Sequence, residues 1–195
     1  MSLRINLGSG QRPFGLCGAC PHKAHRGYCR ECCACQAIAE VSNEWTNVDT
    51  QARWNPDVVA NGSSMPMFAD GSAEMIVSHH NYEHYGLGEA EPMVKECFRI
   101  LRPGGSLIVT TPNLRALTQR WITRQIDDYT FCVNLYGAYM TSEDDRHRWL
   151  YTPETLRESL GKCAAWSKLL LFDWRTIEGA DIAKDWWICG VEAVK

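Results

Sequence analysis

Several residues in this chain could do chemistry, and their spacing says what kind. Gly8-Ser9-Gly10 follows an apolar run at Leu3–Leu7, where glycine permits both a tight turn and close backbone approach by a ligand. Asp49 closes a second extended run, 45–49, and a carboxylate at such a strand end can accept two hydrogen bonds from ribose hydroxyls. Cys17-x2-Cys20 and Cys29-x2-Cys32 are two tight thiol pairs that can give four soft ligands to a structural zinc. Cys33, Cys35, His22 and His25 allow other ligand sets, and an iron–sulfur cluster or unliganded cysteines also fit the spacing. His80, in the string His79-His80-Asn81-Tyr82-Glu83-His84, is the general-base candidate, because an unperturbed imidazole titrates near neutrality. Asn113 and His147 are the other catalytic candidates, with Glu83, His84 and Tyr82 at the same mouth.

These residues need elements to position them, and the apolar pattern supplies them. Val58-Val59-Ala60, Glu74 to Ser78 and Ser106 to Thr110 read as strands, the last following an Arg102-Pro103-Gly104-Gly105 turn and ended by Pro112. Between the latter two, Ala90, Met93, Val94, Cys97, Phe98 and Leu101 recur at three- and four-residue spacing, which predicts a helix over 88–101 lying on a sheet. Thr152-Pro153-Glu154 reads as a helix start, with Leu156 and Leu160 facing the sheet. Residues 168–173 and 186–194 read as final antiparallel strands. The stretch 114–151 is too long for an economical connection and is expected to cover the pocket. Its aromatic residues, Tyr129, Tyr136, Tyr139, Trp149 and Tyr151 among them, suit either an acceptor or a lid packed on the domain.

Composition bounds the rest. A chain of 195 residues with 45% hydrophobic content has room for one well-buried domain, 1–195, with 11–44 as a cysteine-rich insertion. A net charge of -3 gives no global attraction for polyanions, so nucleic acid is disfavoured as a partner. No export signal or bilayer-length apolar run is visible, which points to the cytoplasm and away from membranes. Six of the ten cysteines fall within 17–35, and in a reducing compartment metal-bound thiolates fit better than disulfides. Cys97 lies on the apolar phase of its helix and reads as a core residue.

Taken in order, INLGSG at 5–10, NVD at 47–49, MPMFADGSAEMIVSHHNYEH at 65–84 and LRPGG at 101–105 resemble the class I S-adenosylmethionine-dependent methyltransferases, in particular small members with an HVLEH-like segment. The resemblance implies a Rossmann-like α/β fold: a seven-stranded, mostly parallel sheet with flanking helices, an antiparallel last strand, and the cysteine-rich insertion after the first strand. It implies S-adenosyl-L-methionine bound by Asn6, Gly8, Ser9 and Gly10, with Gly8 and Gly10 at its methionine end, and by Asp49 at its ribose. Asn61, Ser64 and Met65 would border adenine, and His80 would begin a loop near the sulfonium. Asn61 stands where many relatives carry aspartate, and Arg12 replaces a third glycine. A dehydrogenase shares the glycine turn and the ribose carboxylate, but no second phosphate-binding glycine follows Gly10.

The expected activity is methyl transfer to a small-molecule acceptor, at oxygen or nitrogen. Protein or RNA methylation is an alternative, as is a noncatalytic scaffold whose metal knuckle binds a protein partner.

Overall fold

The computed structural model describes residues 3–8, 45–137, 143–172 and 187–195. Seven strands form one sheet: β1 (Leu3–Leu7), β2 (Trp45–Asp49), β3 (Val58–Val59), β4 (Ala73–His79), β5 (Leu101–Pro112), β6 (Lys168–Phe172) and β7 (Ile188–Val194), in the order β3-β2-β1-β4-β5-β7-β6. β7 is antiparallel to both its neighbours, and the other adjacent pairs run parallel. The expected seven-stranded, mostly parallel sheet with an antiparallel last strand is therefore present. The chain leaves β1 toward β2 on one side and returns with β4 on the other. The crevice of such a sheet opens where the order reverses, at the carboxyl ends of β1 and β4.

One face of the sheet carries the main core. Ile5 and Leu7 of β1, Ile76 of β4, Leu107 and Val109 of β5, and Val191 and Ala193 of β7 are all buried there. Helix α1 (Glu91–Ile100) covers them with Met93, Val94 and Cys97, whose spacing predicts the helix, and with Ile100. Burial pushes the Cys97 thiol up to about 12, as a core cysteine requires. Helices α2 (Leu114–Ile122) and α3 (Asp128–Tyr136) precede helix α4 (Pro153–Cys163), whose Leu156 and Leu160 join the same core. Burying each leucine contributes roughly 2 kcal/mol. Among the described residues no helix is long and apolar enough to cross a membrane.

The start of α4 follows from its sequence. Thr152 accepts from the Thr155 amide while the Thr155 hydroxyl accepts from the Thr152 amide, and Pro153 sits where no intrahelical donor is needed. Thr152→Ala is expected to lower stability by about 1 kcal/mol in urea unfolding. No change in midpoint would mean that packing alone sets this boundary.

β5 corrects two expectations. It begins at Leu101 rather than Ser106, because the Arg-Pro-Gly-Gly stretch is a bulge within the strand. Ala73 faces Leu101 and Met75 faces Ser106, leaving residues 102–105 opposite Glu74 alone. A Cβ on Gly105 would lie 3.0 Å from the Arg102 and Glu74 carbonyl oxygens, so the tight inner position needs glycine. The far end of β5 also differs: the strand runs past Thr110 and takes in Pro112 as its last residue. The Asn113 amide donates to the Trp187 carbonyl at 2.6 Å, so the preceding position points toward β4, whose ladder has already ended at the His79–Thr110 pair. Lys195 completes this corner by donating to the carbonyls of Phe98 and Leu101 at 2.6 and 2.7 Å, which satisfies the end of α1.

Candidate functional site

The crevice begins at Gly8. Its φ of +71° is a left-handed conformation natural to glycine, and a Cβ there would lie 2.6 Å from Asn81 Cγ. Asn81 stands just past β4, so the ends of β1 and β4 touch at the reversal point. Asn6 is buried and donates to Asn47 Oδ1 at 2.9 Å, tying β1 to β2 across their parallel register. Asp49 ends β2 only 8% exposed, and its Oδ1 accepts the Gln51 amide at 2.8 Å, which fixes the carboxylate at the strand end.

The next segment folds back on α1. Asn61 Oδ1 accepts from the Ser63 amide and hydroxyl at 3.0 and 2.9 Å, closing a tight turn that also pairs Asn61 with Ser64. Ser64 is exposed. The Met65 side chain lies within the core, while its amide donates to Glu96 Oε1 at 2.7 Å. Arg99 binds Glu96 and donates to the Met65 and Phe68 carbonyls, so one ion pair holds both ends of the segment. Arg99's hydrogen bond, with smaller help from the Met65 amide, holds the Glu96 carboxyl below its usual range despite partial burial.

Beyond β4 the chain turns sharply. His80 has a φ of +50°, and a 3-10 turn at Tyr82–His84 follows. His80 Nδ1 lies 2.9 Å from Glu83 Oε1, and its ring packs 4.9 Å from that of Trp187. Glu83 is 0% exposed, and its Oε2 has no hydrogen-bond partner among the described residues. Burial works to raise the Glu83 carboxyl, but the hydrogen bond to His80 and the neighbouring imidazoles hold it below its ordinary value. The group is an ionised carboxylate in an interior position.

Residues 143–149 lie over this turn. The Glu83 carbonyl accepts the Arg148 and Trp149 amides at 2.8 and 3.2 Å. His84 Nδ1 is 3.1 Å from the Arg146 carbonyl oxygen, and His147 Nδ1 is 3.0 Å from that of Asn134. A carbonyl only accepts, so each Nδ1 carries a proton. His147 Nε2 stands 4.0 Å from Glu83 Oε1. Burial first, opposed by Glu83, leaves the His147 ring below its ordinary value, so it is neutral at pH 7. At the other strand end Gln51 Nε2 donates to Asp144 at 2.7 Å, so the segment also reaches the turn that holds Asp49.

Two catalytic candidates, His80 and His147, thus converge on Glu83. Asn113 does something else: its Oδ1 accepts the Ala116 amide at 3.3 Å as the N-cap of α2. Tyr82 is not at a mouth; it is buried, with its hydroxyl 2.9 Å from Ser159 Oγ on α4. Tyr151 is buried beside it, whereas Tyr129 and Tyr136 are exposed. The contact of Asn81 with Gly8 and the central place of Glu83 are not marked by any residue type, though His-x-x-Glu-His puts three ligating side chains on one helical turn. Ser9, Gly10, Cys17, Cys20, Cys29 and Cys32 lie outside the described residues. One cavity of about 580 Å³ is lined by Tyr82, Leu87, Leu114, Trp149, Tyr151 and Ser159 among others, behind the turn rather than at the strand ends.

Known proteins place this geometry. A family model described as a methyltransferase domain matches residues 15–109. A relative from Mycolicibacterium smegmatis, named a probable S-adenosylmethionine-dependent methyltransferase, is 46% identical over 44 residues, which cover 23% of this chain and only 16% of that protein. Among solved structures, a SAM-dependent methyltransferase from Archaeoglobus fulgidus matches with a TM-score of 0.59 at 13% identity, covering 100% of this chain and 86% of that one. One from Methanosarcina mazei matches with a TM-score of 0.54 at 16% identity, covering 98% and 91%. At such identities the likeness to solved structures is one of fold.

Proposed function

We propose that this chain, which carries a class I-like S-adenosylmethionine-dependent methyltransferase domain, transfers the donor's methyl group to a small-molecule acceptor. The observation that carries the reading is the meeting of Gly8, Asp49 and the His80–His84 turn around the one reversal point of the sheet. The residues present fit the donor. Gly8 leaves backbone open where a side chain would collide, and Asp49 supplies a fixed carboxylate for the ribose hydroxyls. Asn61 and Ser64 form the turn that would border adenine, with Met65 supporting it from the core.

The bound donor supplies a sulfonium that makes its methyl carbon electrophilic, so the protein's task is alignment and exclusion of water. His80 is held by Glu83 at Nδ1, which sets its ring and aims Nε2 away from that carboxylate. In this reading Nε2 takes the proton of an acceptor hydroxyl or ammonium. The acceptor's lone pair forms the new bond to the methyl carbon, and the electrons of the broken C–S bond stay on sulfur. Residues 114–151 act as the cover, supported by the hydrogen bonds to Glu83 and Gln51. The N-cap role of Asn113 supports positioning of the cover rather than proton transfer.

Cys17, Cys20, Cys29 and Cys32 are proposed to hold a structural zinc in a knuckle that can bind a protein partner; this rests on their spacing.

Calorimetric titration with S-adenosylhomocysteine tests the donor site without a known acceptor. One-site binding is expected, weakened on the order of 100-fold by Asp49→Ala, about 3 kcal/mol for two hydrogen bonds to a charged group. Folded protein that binds no S-adenosylhomocysteine, or an Asp49→Ala variant that binds as well as the parent, overturns the reading.

A further inference from the structure

We propose that Glu83, His84 and His147 form a binding site for a divalent first-row transition-metal cation, zinc being the probe of choice. One ligating atom from each residue lies within 4.8 Å of the other two. Around a tetrahedral zinc, ligand atoms about 2.0–2.1 Å from the metal stand roughly 3.4 Å apart. The closure needed is about an ångström and lies within small side-chain rotations.

Three further observations point to a cation rather than to chance proximity. Both imidazoles are oriented by a hydrogen bond from one ring nitrogen to a backbone carbonyl: His84 Nδ1–H donates to that of Arg146 and His147 Nδ1–H to that of Asn134. This is how proteins fix histidine ligands, since it leaves Nε2 with an unshared lone pair. At His147 that lone pair faces Glu83 Oε1 at 4.0 Å, an acceptor opposite an acceptor with no proton assigned between them. Finally, Glu83 Oε2 is fully buried and has no hydrogen-bond partner among the described residues, although an interior carboxylate oxygen normally takes one or two. A positive ion resolves both defects at once, for it binds the bare oxygen and separates the facing lone pairs.

The set of two imidazoles and one carboxylate selects the cation class. Magnesium and calcium prefer all-oxygen sites, whereas zinc, cobalt, nickel, manganese and iron(II) accept imidazole. Three protein ligands also leave at least one coordination position, as in catalytic rather than structural zinc sites. The His80 side of Glu83 remains engaged by its own hydrogen bond. The metal would therefore stand at the turn whose Asn81 touches Gly8, on the His84 and His147 side of Glu83. Resting on the methyltransferase reading, this narrows the acceptor to a compound that presents an oxygen ligand, such as a hydroxyl beside a carbonyl or a second hydroxyl.

The cysteine-rich segment can also bind metal, so the experiment must separate nitrogen–oxygen ligation from thiolate ligation. Full-length protein is stripped with a chelator and titrated with cobalt(II), with visible and near-ultraviolet absorption recorded. The expected result is a set of visible d–d bands that persists, without any thiolate charge-transfer band, in a Cys17→Ser/Cys20→Ser/Cys29→Ser/Cys32→Ser variant. His84→Ala and His147→Ala should each weaken this cobalt site by at least 10-fold, and Glu83→Gln should weaken it as well. His84 is half-buried at the edge of the cluster, so its variant keeps the test valid if His147→Ala or Glu83→Gln misfolds by circular dichroism. Bands indifferent to His84→Ala, or cobalt bound through thiolates alone, overturn the proposal. Asp49→Ala separates the two readings, because it should lose S-adenosylhomocysteine and keep the cobalt bands.

Discussion

Gly8→Ala is expected to lower S-adenosylhomocysteine affinity by at least 100-fold and stability by about 2–3 kcal/mol. Two effects combine. A left-handed backbone costs an L-residue on the order of 1 kcal/mol, and the added Cβ would sit 2.6–2.8 Å from Cγ, Cβ and Oδ1 of Asn81. The near end of that side chain cannot swing away, since Asn81 Nδ2 is anchored on Ser78 at 3.2 Å and its backbone starts the His80–His84 turn. Relief must come from parting the ends of β1 and β4, which dismantles the donor crevice. Calorimetry and thermal unfolding measure the two losses. Adding Asn81→Gly should recover part of the stability by removing the steric component. If Gly8→Ala binds S-adenosylhomocysteine normally, the crevice does not depend on this contact.

Gly137→Ala should have a comparable effect at the other end of the site. Gly137 has φ +78° and ψ 177°, a region essentially reserved for glycine, and a Cβ there would lie 2.0 Å from the Asp145 carbonyl oxygen and 2.8 Å from His147 Cδ2. Gly137 pairs with Arg146, and the His147 amide donates to the Tyr136 carbonyl at 3.0 Å, so this contact carries His147 into the cluster. The variant is expected to lose about 2–4 kcal/mol in urea unfolding. It should also bind cobalt at least 10-fold more weakly at the nitrogen–oxygen site, with a smaller change in S-adenosylhomocysteine affinity. Equal losses of donor and metal binding would show general unfolding instead of local displacement of His147.

What could be read from the sequence was local. The three- and four-residue spacing from Ala90 to Leu101 names the buried face of α1, and Thr152-Pro153 marks the start of α4 almost to the residue. The glycine turn and Asp49 were legible because each stands at the end of its own strand. The bulge in β5 was not, since it needs Glu74 on one side and the β7 corner on the other to make a Pro-Gly-Gly run part of a strand. Nor could Glu83 be recognised as the centre of the site. Its burial follows from His80 on one side and from residues 146–149, distant in the chain, on the other. Sequence periodicity speaks of faces within one element; convergence of side chains from two loops is set only when the sheet and its cover close together.

The backbone of His80 has a consequence of its own. Its left-handed φ of +50° costs roughly 1 kcal/mol that glycine would avoid and asparagine would reduce. Durability alone would favour either of those residues at this corner. An imidazole held there against backbone preference, with its ring fixed by a buried carboxylate, costs the turn after β4 some robustness, a loss that the proton-accepting role proposed for His80 would account for.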